Sequence, residues 1–585
     1  LHPLGKAARK AQVAARQIYS ATQAYVSPSV RIPPGGRLDF AIGLQQDWRI
    51  ARGAAARFTL SIEMPSGWQP LFSETVVHDV LLEGAKWAER QVDLAEYVGE
   101  SVSFRFASAP ATPGEQPQVA FPLWANPVLH GCPKKATGRP SVIFISLDTC
   151  RADHLGCYGH SAGTSPALDR FAEQAVLFET AIAPASCTTP SHASLFTGLH
   201  PATHLAGVFS QGYRLQPHWD TLAERLRGAG YLTAAITEGI AVRAQMGFAQ
   251  GFDLYSDGLS PKAHRTCTAQ RTFEAAGDWL EAFGHLPHFL FVHTYEIHAP
   301  YTPPRPWLDR FADPTLHGTL GGMAENAATP EERRYIVNSY DACIGYTDHH
   351  LGRFFDRMRA LDLFEEALIV VFSDHGEEFW EHGGTGHTSG IYDETLRVPL
   401  IIKLPGAVPA RARIPAQVGL SDVYATVLAL LGLNVPDGLD SYSLLPLISP
   451  ETAQNTYGRT QVVSELRQMV EGVLLPGGAP LEWIMRSIRE PAWKYIRSDR
   501  TWKTETKGKS PGPGQVDEEF YAIGGEHGEQ RNQIQDKGKE AQRLRADLGA
   551  FIEDCEKLRA RRAVKQDAVA LDPDDLESLK NLGYL

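Results

Sequence analysis

The stretch Thr188-Thr189-Pro190-Ser191-His192 sets hydroxyls, a proline that holds the backbone and an imidazole within five positions, between an apolar strand-like run and a helix-like run. A threonine hydroxyl is a poor nucleophile at neutral pH. Bound to a divalent cation its pKa falls and it can attack phosphorus or sulfur, and Thr188 is read as that nucleophile. Three other segments offer ligands: Leu147-Asp148-Thr149-Cys150-Arg151, the run from Phe289 to Pro304, and Ser373-Asp374-His375-Gly376-Glu377 followed by Gly386-His387. Asp148 and Asp374 each end an apolar run, and His375 stands beside the second, so the set Asp148, Thr188, Asp374 and His375 meets a cation's need for preoriented anionic donors. His298, His387 and His192 are candidates to donate hydrogen bonds to the other substrate oxygens or to protonate the leaving group, with Arg151 a further candidate.

Each piece also has a plainer reading. Ser-Asp-His-Gly suits a turn with a helix cap, and His298 beside Pro300 suits a loop. His293 on an apolar strand reads as a satisfied core residue. Cys150 and Cys157 read as packing residues, and Glu377, Glu378 and Glu381 as a solvated acidic face on which a second metal is conceivable.

These residues need a scaffold. From Ser141 onward, continuous apolar runs at Ser141 to Leu147, Leu232 to Thr237, Phe289 to His293, Leu368 to Ser373 and Val398 to Lys403 alternate with helical patterns such as Thr272 to Phe283 and Arg333 to Arg359. That alternation predicts a doubly wound α/β domain, with ligands gathered at the carboxyl ends of its strands. Residues 27–130 differ: short runs of period two, such as Arg37 to Ile42, Arg57 to Ile62 and Ser101 to Phe106, are separated by Gly and Pro clusters. They predict an antiparallel β-sandwich of jelly-roll type, with Trp87 and Trp124 in or near its core. The remaining divisions are a helical lead-in over 1–26, a linker over 131–140, a catalytic core over 141–450, and a C-terminal subdomain with a charged tail helix over 451–585.

A chain of 585 residues is too long for one core. With 43% hydrophobic residues and no apolar run near the roughly 18 that span a bilayer, it offers no membrane span. A formal net charge of -12 argues against nucleic acid as a partner. The seven cysteines are scattered without a CxxC pair, which excludes a zinc ribbon or disulfide scaffold.

Asp148 to Gly159 (DTCRADHLGCYG) is similar to the opening motif of the sulfatase family, and Thr164 to Arg170 (TSPALDR) continues the likeness. So do Pro190 to Gly198 (PSHASLFTG), Ile297 to Tyr301, Phe372 to Glu377, Leu396 to Leu400 and the Leu582-Gly583-Tyr584 ending. The chain from about Ser141 thus resembles the sulfatase branch of the alkaline phosphatase superfamily. The resemblance implies an alkaline-phosphatase-like fold, one divalent metal and hydrolysis of a small anionic ester, carbohydrate-linked in some members. It departs from the usual pattern at the nucleophile. Counting back two from Pro190 reaches Thr188, where the family has a Cys or Ser that is oxidised to formylglycine; threonine is no substrate for that oxidation, so no formylglycine is expected. Cys187 lies one place too early, and His192 replaces an arginine. A nitrogen ligand at His375 moves the metal preference from calcium towards manganese or zinc. The resulting expectation is a Thr-dependent hydrolase of phosphate diesters or phosphonate monoesters. A sulfuric ester hydrolase, a headgroup phosphotransferase and a non-catalytic binding protein of the same fold are the alternatives. The compartment inclines to the periplasm or exterior over the cytoplasm, and the oligomeric state is left open.

Overall fold

The computed structural model describes residues 2–3, 23–32, 36–44, 55–77, 88–111, 122–130, 139–207, 214–257, 268–313, 329–406, 412–449, 456–474, 480–500, 515–524, 528–536 and 538–561. The sequence expectations for residues 6–22, Trp87, most of the 131–140 linker, the 503–514 loop and the last fourteen residues lie outside these. The chain divides into two compact units, Leu1–Lys135 and Ala136–Leu585.

The first unit holds two four-stranded antiparallel sheets. One orders the strands His2–Pro3, Pro122–His130, Arg37–Leu44 and Ala88–Asp93, and the other Gln23–Val26, Phe104–Pro110, Ala55–Met64 and Gly67–Val77. Alternation drives the sandwich: Leu38, Phe40 and Ile42 from one sheet meet Phe58, Leu60, Ile62, Phe104 and Phe106 from the other. Trp124 is half-buried against this core, edge-on to Phe58 and Phe106. Gln23–Val26 pairs with residues 105–108, so the end of the expected lead-in helix is strand. Its Tyr25 packs on the apolar core, and that burial outweighs the helical preference of the Ala-rich run before it.

The second unit is built on an eight-stranded sheet. Its strands are β1 (Val142–Leu147), β2 (Val176–Ile182), β3 (Leu232–Thr237), β4 (Leu254–Ser256), β5 (His288–Thr294), β6 (Leu368–Phe372), β7 (Arg397–Lys403) and β8 (Ala412–Gly419), in the order β4-β3-β5-β1-β6-β7-β2-β8. β1 lies between β5 and β6, parallel to both, with Val142 level with Phe289 and Leu368. β7 runs antiparallel to both β6 and β2, so the sheet is mixed. Both faces are covered, as the continuous apolar runs require. Val142 and Phe144 enter one core cluster, and Ile143, Ile145 and Leu147 the other.

Three helices matter for the site: α1 (Thr188–Thr197), α2 (Thr268–Phe283) and α3 (Pro330–Ala360). Every residue of α1 is buried, and Gly198 ends it in the left-handed region at φ 66°. A four-stranded antiparallel sheet (Val462–Leu474, Pro480–Arg489, Trp493–Arg500, Gln515–Ala522) closes the unit. Val462, Leu466, Met485 and Ile496 join one face of it to the main core, and Val463, Ile488, Tyr495 and Phe520 on the other hold the helix α4 (Gly538–Arg561).

Candidate active site

Adjacent parallel strands ending level bring their following residues side by side. Asp148 follows β1, Asp374 follows β6 after Ser373, and His293 is the penultimate residue of β5. Cross-links fix these ends. Thr149 N donates to Asp374 Oδ1 at 3.4 Å, Cys150 N donates to Ser373 Oγ at 2.9 Å, and Tyr340 of α3 donates to Thr149 O at 2.8 Å. Thr149 itself sits at φ 56°, an uncommon conformation for a residue with a side chain, where its hydroxyl donates to Asp148 O at 2.8 Å.

Thr188 is the first residue of α1, after Cys187 in extended conformation. The helix N-terminus, with its unpaired N–H groups and positive dipole end, favours an anion at this place. Thr188 Oγ1 lies 3.4 Å from Asp148 Oδ2 and 3.2 Å from His375 Nε2. Ser191 Oγ donates to Asp374 O at 2.7 Å and ties the helix to the end of β6. Asp148, Thr188, Asp374 and His375 are all fully buried.

The donor atoms of Asp148, Asp374 and His375 fall within 4.8 Å of one another. Among the described residues, Asp148 Oδ1 and Asp374 Oδ2 accept no hydrogen bond. Burial first, then the charges of Asp374 and Glu377, pushes the Asp148 carboxyl well above the usual carboxylate range; burial also raises Asp374, against the pull of His192. Two buried carboxylates with orphaned oxygens are costly alone and suit a shared divalent cation. The residues present fit a metal held by Asp148, Asp374, His375 and the Thr188 hydroxyl.

Around it stand imidazoles whose proton positions follow from their partners. His375 Nδ1 donates to Gly376 O at 3.0 Å, His298 Nδ1 to Ala299 O at 2.7 Å, and His387 Nδ1 to Glu377 Oε1 at 2.8 Å. Burial holds all three at a pKa of about 3, so each is neutral here with its remaining chemistry at Nε2. The His298 and His387 rings lie 5.0 Å apart, and His387 lies 4.4 Å from His375. Glu377 is fully buried, accepting from His387 and, at 2.8 Å, from Tyr301 OH. It is no part of a solvated face. Glu378 is buried too, accepting from His382 N at 3.1 Å and Ser389 Oγ at 2.8 Å, and Glu381 pairs with Arg151 at 2.6 Å.

The other two candidates, His192 and Arg151, have their polar atoms engaged by protein partners. His192 Nδ1 donates to Thr188 O at 2.9 Å and its Nε2 takes a proton from Ser146 Oγ at 2.9 Å. Both nitrogens are engaged within the protein, and the ring ties α1 to β1. Arg151 is held by Asp153, Glu381 and the Glu377 carbonyl, so its guanidinium braces the loop after β1 against the loop after β6. Cys187 packs in the apolar cluster with Ala193 and Leu195, its thiol pushed up by burial.

His293 is the satisfied, buried strand residue its sequence reading expects, with Nδ1 3.1 Å from Glu238 O, and it lies against the site. Its Nε2 lies 3.0 Å from Asp148 Oδ2, at no exposure. The available signal was an imidazole two residues short of the Glu-Ile-His segment on a strand that ends level with Asp148. Glu377 was equally visible as the second residue after His375.

The sulfatase family's profile matches residues 140–433, just over half of the chain. Sulfatase YidJ of Escherichia coli (strain K12) is 24% identical over 380 residues, covering 55% of this chain and 74% of that protein. The ulvan-active sulfatase of Formosa agariphila is 27% identical over 337 residues, covering 53% and 65%. The crystal structure of the phosphonate monoester hydrolase of Agrobacterium radiobacter matches with a TM-score of 0.56 and 21% identity over 72% of this chain and 96% of that one, a likeness of fold.

Proposed function

The chain belongs to the sulfatase family of ester-hydrolysing enzymes, within the alkaline-phosphatase-like superfamily, and from that premise we propose that it cleaves a carbohydrate-linked sulfate ester by attack of Thr188. The observation that carries the nucleophile is the place of Thr188 Oγ1, at a helix N-terminus between Asp148 and His375 at 3.4 and 3.2 Å. The ulvan-active relative supports the carbohydrate sulfate. Asp148, Asp374 and His375 would hold the metal, manganese or zinc before calcium because His375 is a nitrogen donor. When bound, the metal supplies positive charge that lowers the nucleophile's pKa and offsets the charge of the ester.

The chain's own residues do the rest. Thr188 Oγ1 forms a bond to the central sulfur or phosphorus as the bond to the leaving oxygen breaks. His387, held at Nδ1 by Glu377, takes up at Nε2 the proton that Thr188 gives up and passes it to that leaving oxygen. Water then displaces the Thr188 ester; His387 Nε2 takes the proton of the attacking water and returns it to Thr188 Oγ1 as that bond breaks.

Phosphate diesters and phosphonate monoesters form the second reading, and Thr188 itself favours it. A formylglycine hydrate expels sulfate by collapse of its hemiacetal. A threonine ester has no such route and must be displaced, which suits a phosphoryl intermediate better. The headgroup transferase alternative has less support: among the described residues no helix is long and apolar enough to cross a membrane.

A panel of aryl sulfate, phosphate monoester, phosphate diester and phosphonate esters, with manganese, zinc or calcium added back after chelation, separates the two readings. Thr188→Ala is expected to lose on the order of 10⁴-fold or more on every active substrate. Aryl sulfate turnover that survives Thr188→Ala, with a formylglycine mass at Cys187, would overturn the threonine nucleophile.

A further inference from the structure

The turn that follows β5, from Tyr295 to His298, is anchored at every residue. Tyr295 N donates to Glu238 Oε2 at 3.1 Å, and the other oxygen of that carboxylate takes the Thr272 hydroxyl of α2. Glu296 Oε2 accepts from Thr268 N at 2.6 Å and from Ala269 N at 3.2 Å, at the start of the same helix. Ile297 is fully buried in the apolar cluster that holds Leu147 and Val292. His298 N closes the turn on Tyr295 O at 3.1 Å.

The first and last side chains of this turn meet face to face. The Tyr295 and His298 rings stack with centroids 4.1 Å apart and planes 16° from parallel. We propose that Tyr295 is a positioning residue for the reaction and acts through His298. The proposal rests on the reading that His298 works at this active site through Nε2.

The His298 Nδ1–H bond to Ala299 O, at 2.7 Å, sets the tautomer but leaves the ring one freedom. The imidazole can tilt about the line of that bond, and Nε2 swings with it. The Tyr295 face opposes the tilt on one side. The His387 ring, 5.0 Å away at 72°, limits it from another direction. Tyr295 is a firm backstop although it is only half-buried. Its ring lies so close to Gly239 that a Cβ there would come within 2.9 Å of Tyr295 Cδ2, and the turn holds its backbone at both ends. A reacting group displaced by about 1 Å can cost about 10²-fold in rate, so a tilt of this ring reaches the chemistry without any contact between Tyr295 and the substrate. The tyrosine contributes a flat face and not its hydroxyl, which makes phenylalanine an adequate substitute.

Steady-state kinetics on whichever ester the wild type cleaves test this in Tyr295→Leu, Tyr295→Phe, His298→Ala and the double variant Tyr295→Leu/His298→Ala. Tyr295→Leu is expected to lose about tenfold in kcat with KM little changed, and Tyr295→Phe to stay within about twofold of wild type. In the His298→Ala background, Tyr295→Leu is expected to cost nothing further. Losses that add in the double variant would mean that Tyr295 acts without His298 and overturn the proposal, as would full activity in Tyr295→Leu. Full activity in His298→Ala overturns the reading of His298 itself, and the proposal with it. Tyr295→Met fills the same space without a flat face and serves in the same cycle if the leucine variant does not fold.

Discussion

Glu377 and His387 confine acid–base chemistry to one nitrogen. The carboxylate takes the Nδ1 proton at 2.8 Å, and Tyr301 OH at 2.8 Å holds its other oxygen. Glu377→Gln keeps the shape and removes the charge that supports a protonated His387. Alkyl esters, whose leaving oxygen must be protonated, are expected to lose about 10²-fold in kcat, while nitrophenyl esters change little. An equal loss on both would mean that Glu377 is only structural. Asp374 shows the opposite face of the same economy. Its folded pKa is raised, so its contribution to stability is fully present below the unfolded carboxylate value and is lost as pH rises through the folded one. At neutral pH the metal-free site is therefore destabilising. Metal-free Asp374→Asn should melt above metal-free wild type at pH 7. It should also lose most of the stabilisation that metal confers on the wild type, about 2.7 kcal/mol at a hundredfold excess over Kd. A variant that melts lower and still gains from metal would contradict this account of the carboxylate pair.

At the scale of elements, the loop after β6 is shaped by one close approach. A Cβ on Gly376 would lie 2.1 Å from the backbone oxygen of Glu394, a contact that no side-chain rotation relieves. Gly376 N also donates to Thr395 O at 2.8 Å, which holds the loop, and with it His375, against the segment entering β7. Gly376→Ala is expected to cost about 1–3 kcal/mol in denaturant midpoint and to weaken metal binding through its neighbour. Loss of stability with unchanged metal affinity would show that the loop moves without carrying His375. α1 is held in the same manner from two sides, by Ser191 on Asp374 O and by His192 on Ser146, so the nucleophile's position depends on β1 and β6 together.

At the scale of the molecule, the C-terminal subdomain is joined to the catalytic sheet by apolar packing and by buried ionic contacts. His382 donates from Nδ1 to Glu394 Oε1 at 2.5 Å and from Nε2 to Glu529 O at 3.1 Å, stacked 3.5 Å from the Tyr392 ring. Burial opposes its charge most, but the hydrogen bond and charge of Glu394 together with the carbonyl and charge of Glu529 outweigh it and raise the pKa to about 8. A raised histidine pKa adds stability that is fully present below about 6.5 and lost as pH rises through about 8. The melting temperature should therefore fall between pH 6.5 and 8.5, and His382→Gln should flatten that slope. An unchanged slope in the variant would assign the pH dependence to other groups.

The sequence by itself determined the strand-forming runs, the carboxylates that end β1 and β6, the threonine two places before Pro190, and the change from sandwich to α/β pattern. These are local properties: side-chain period, apolar run length and the residue that closes a run. Only the tertiary structure decided what depends on strand order. β1 lies between β5 and β6, so Asp148 meets His293 from 145 residues away, and Tyr301, after β5, meets a buried Glu377, after β6. The antiparallel course of β7 is of the same kind, because a run buried on both faces reads alike in either direction. The apolar pattern around His293 predicts a buried ring, and which oxygens meet its two nitrogens rests on the neighbouring strands.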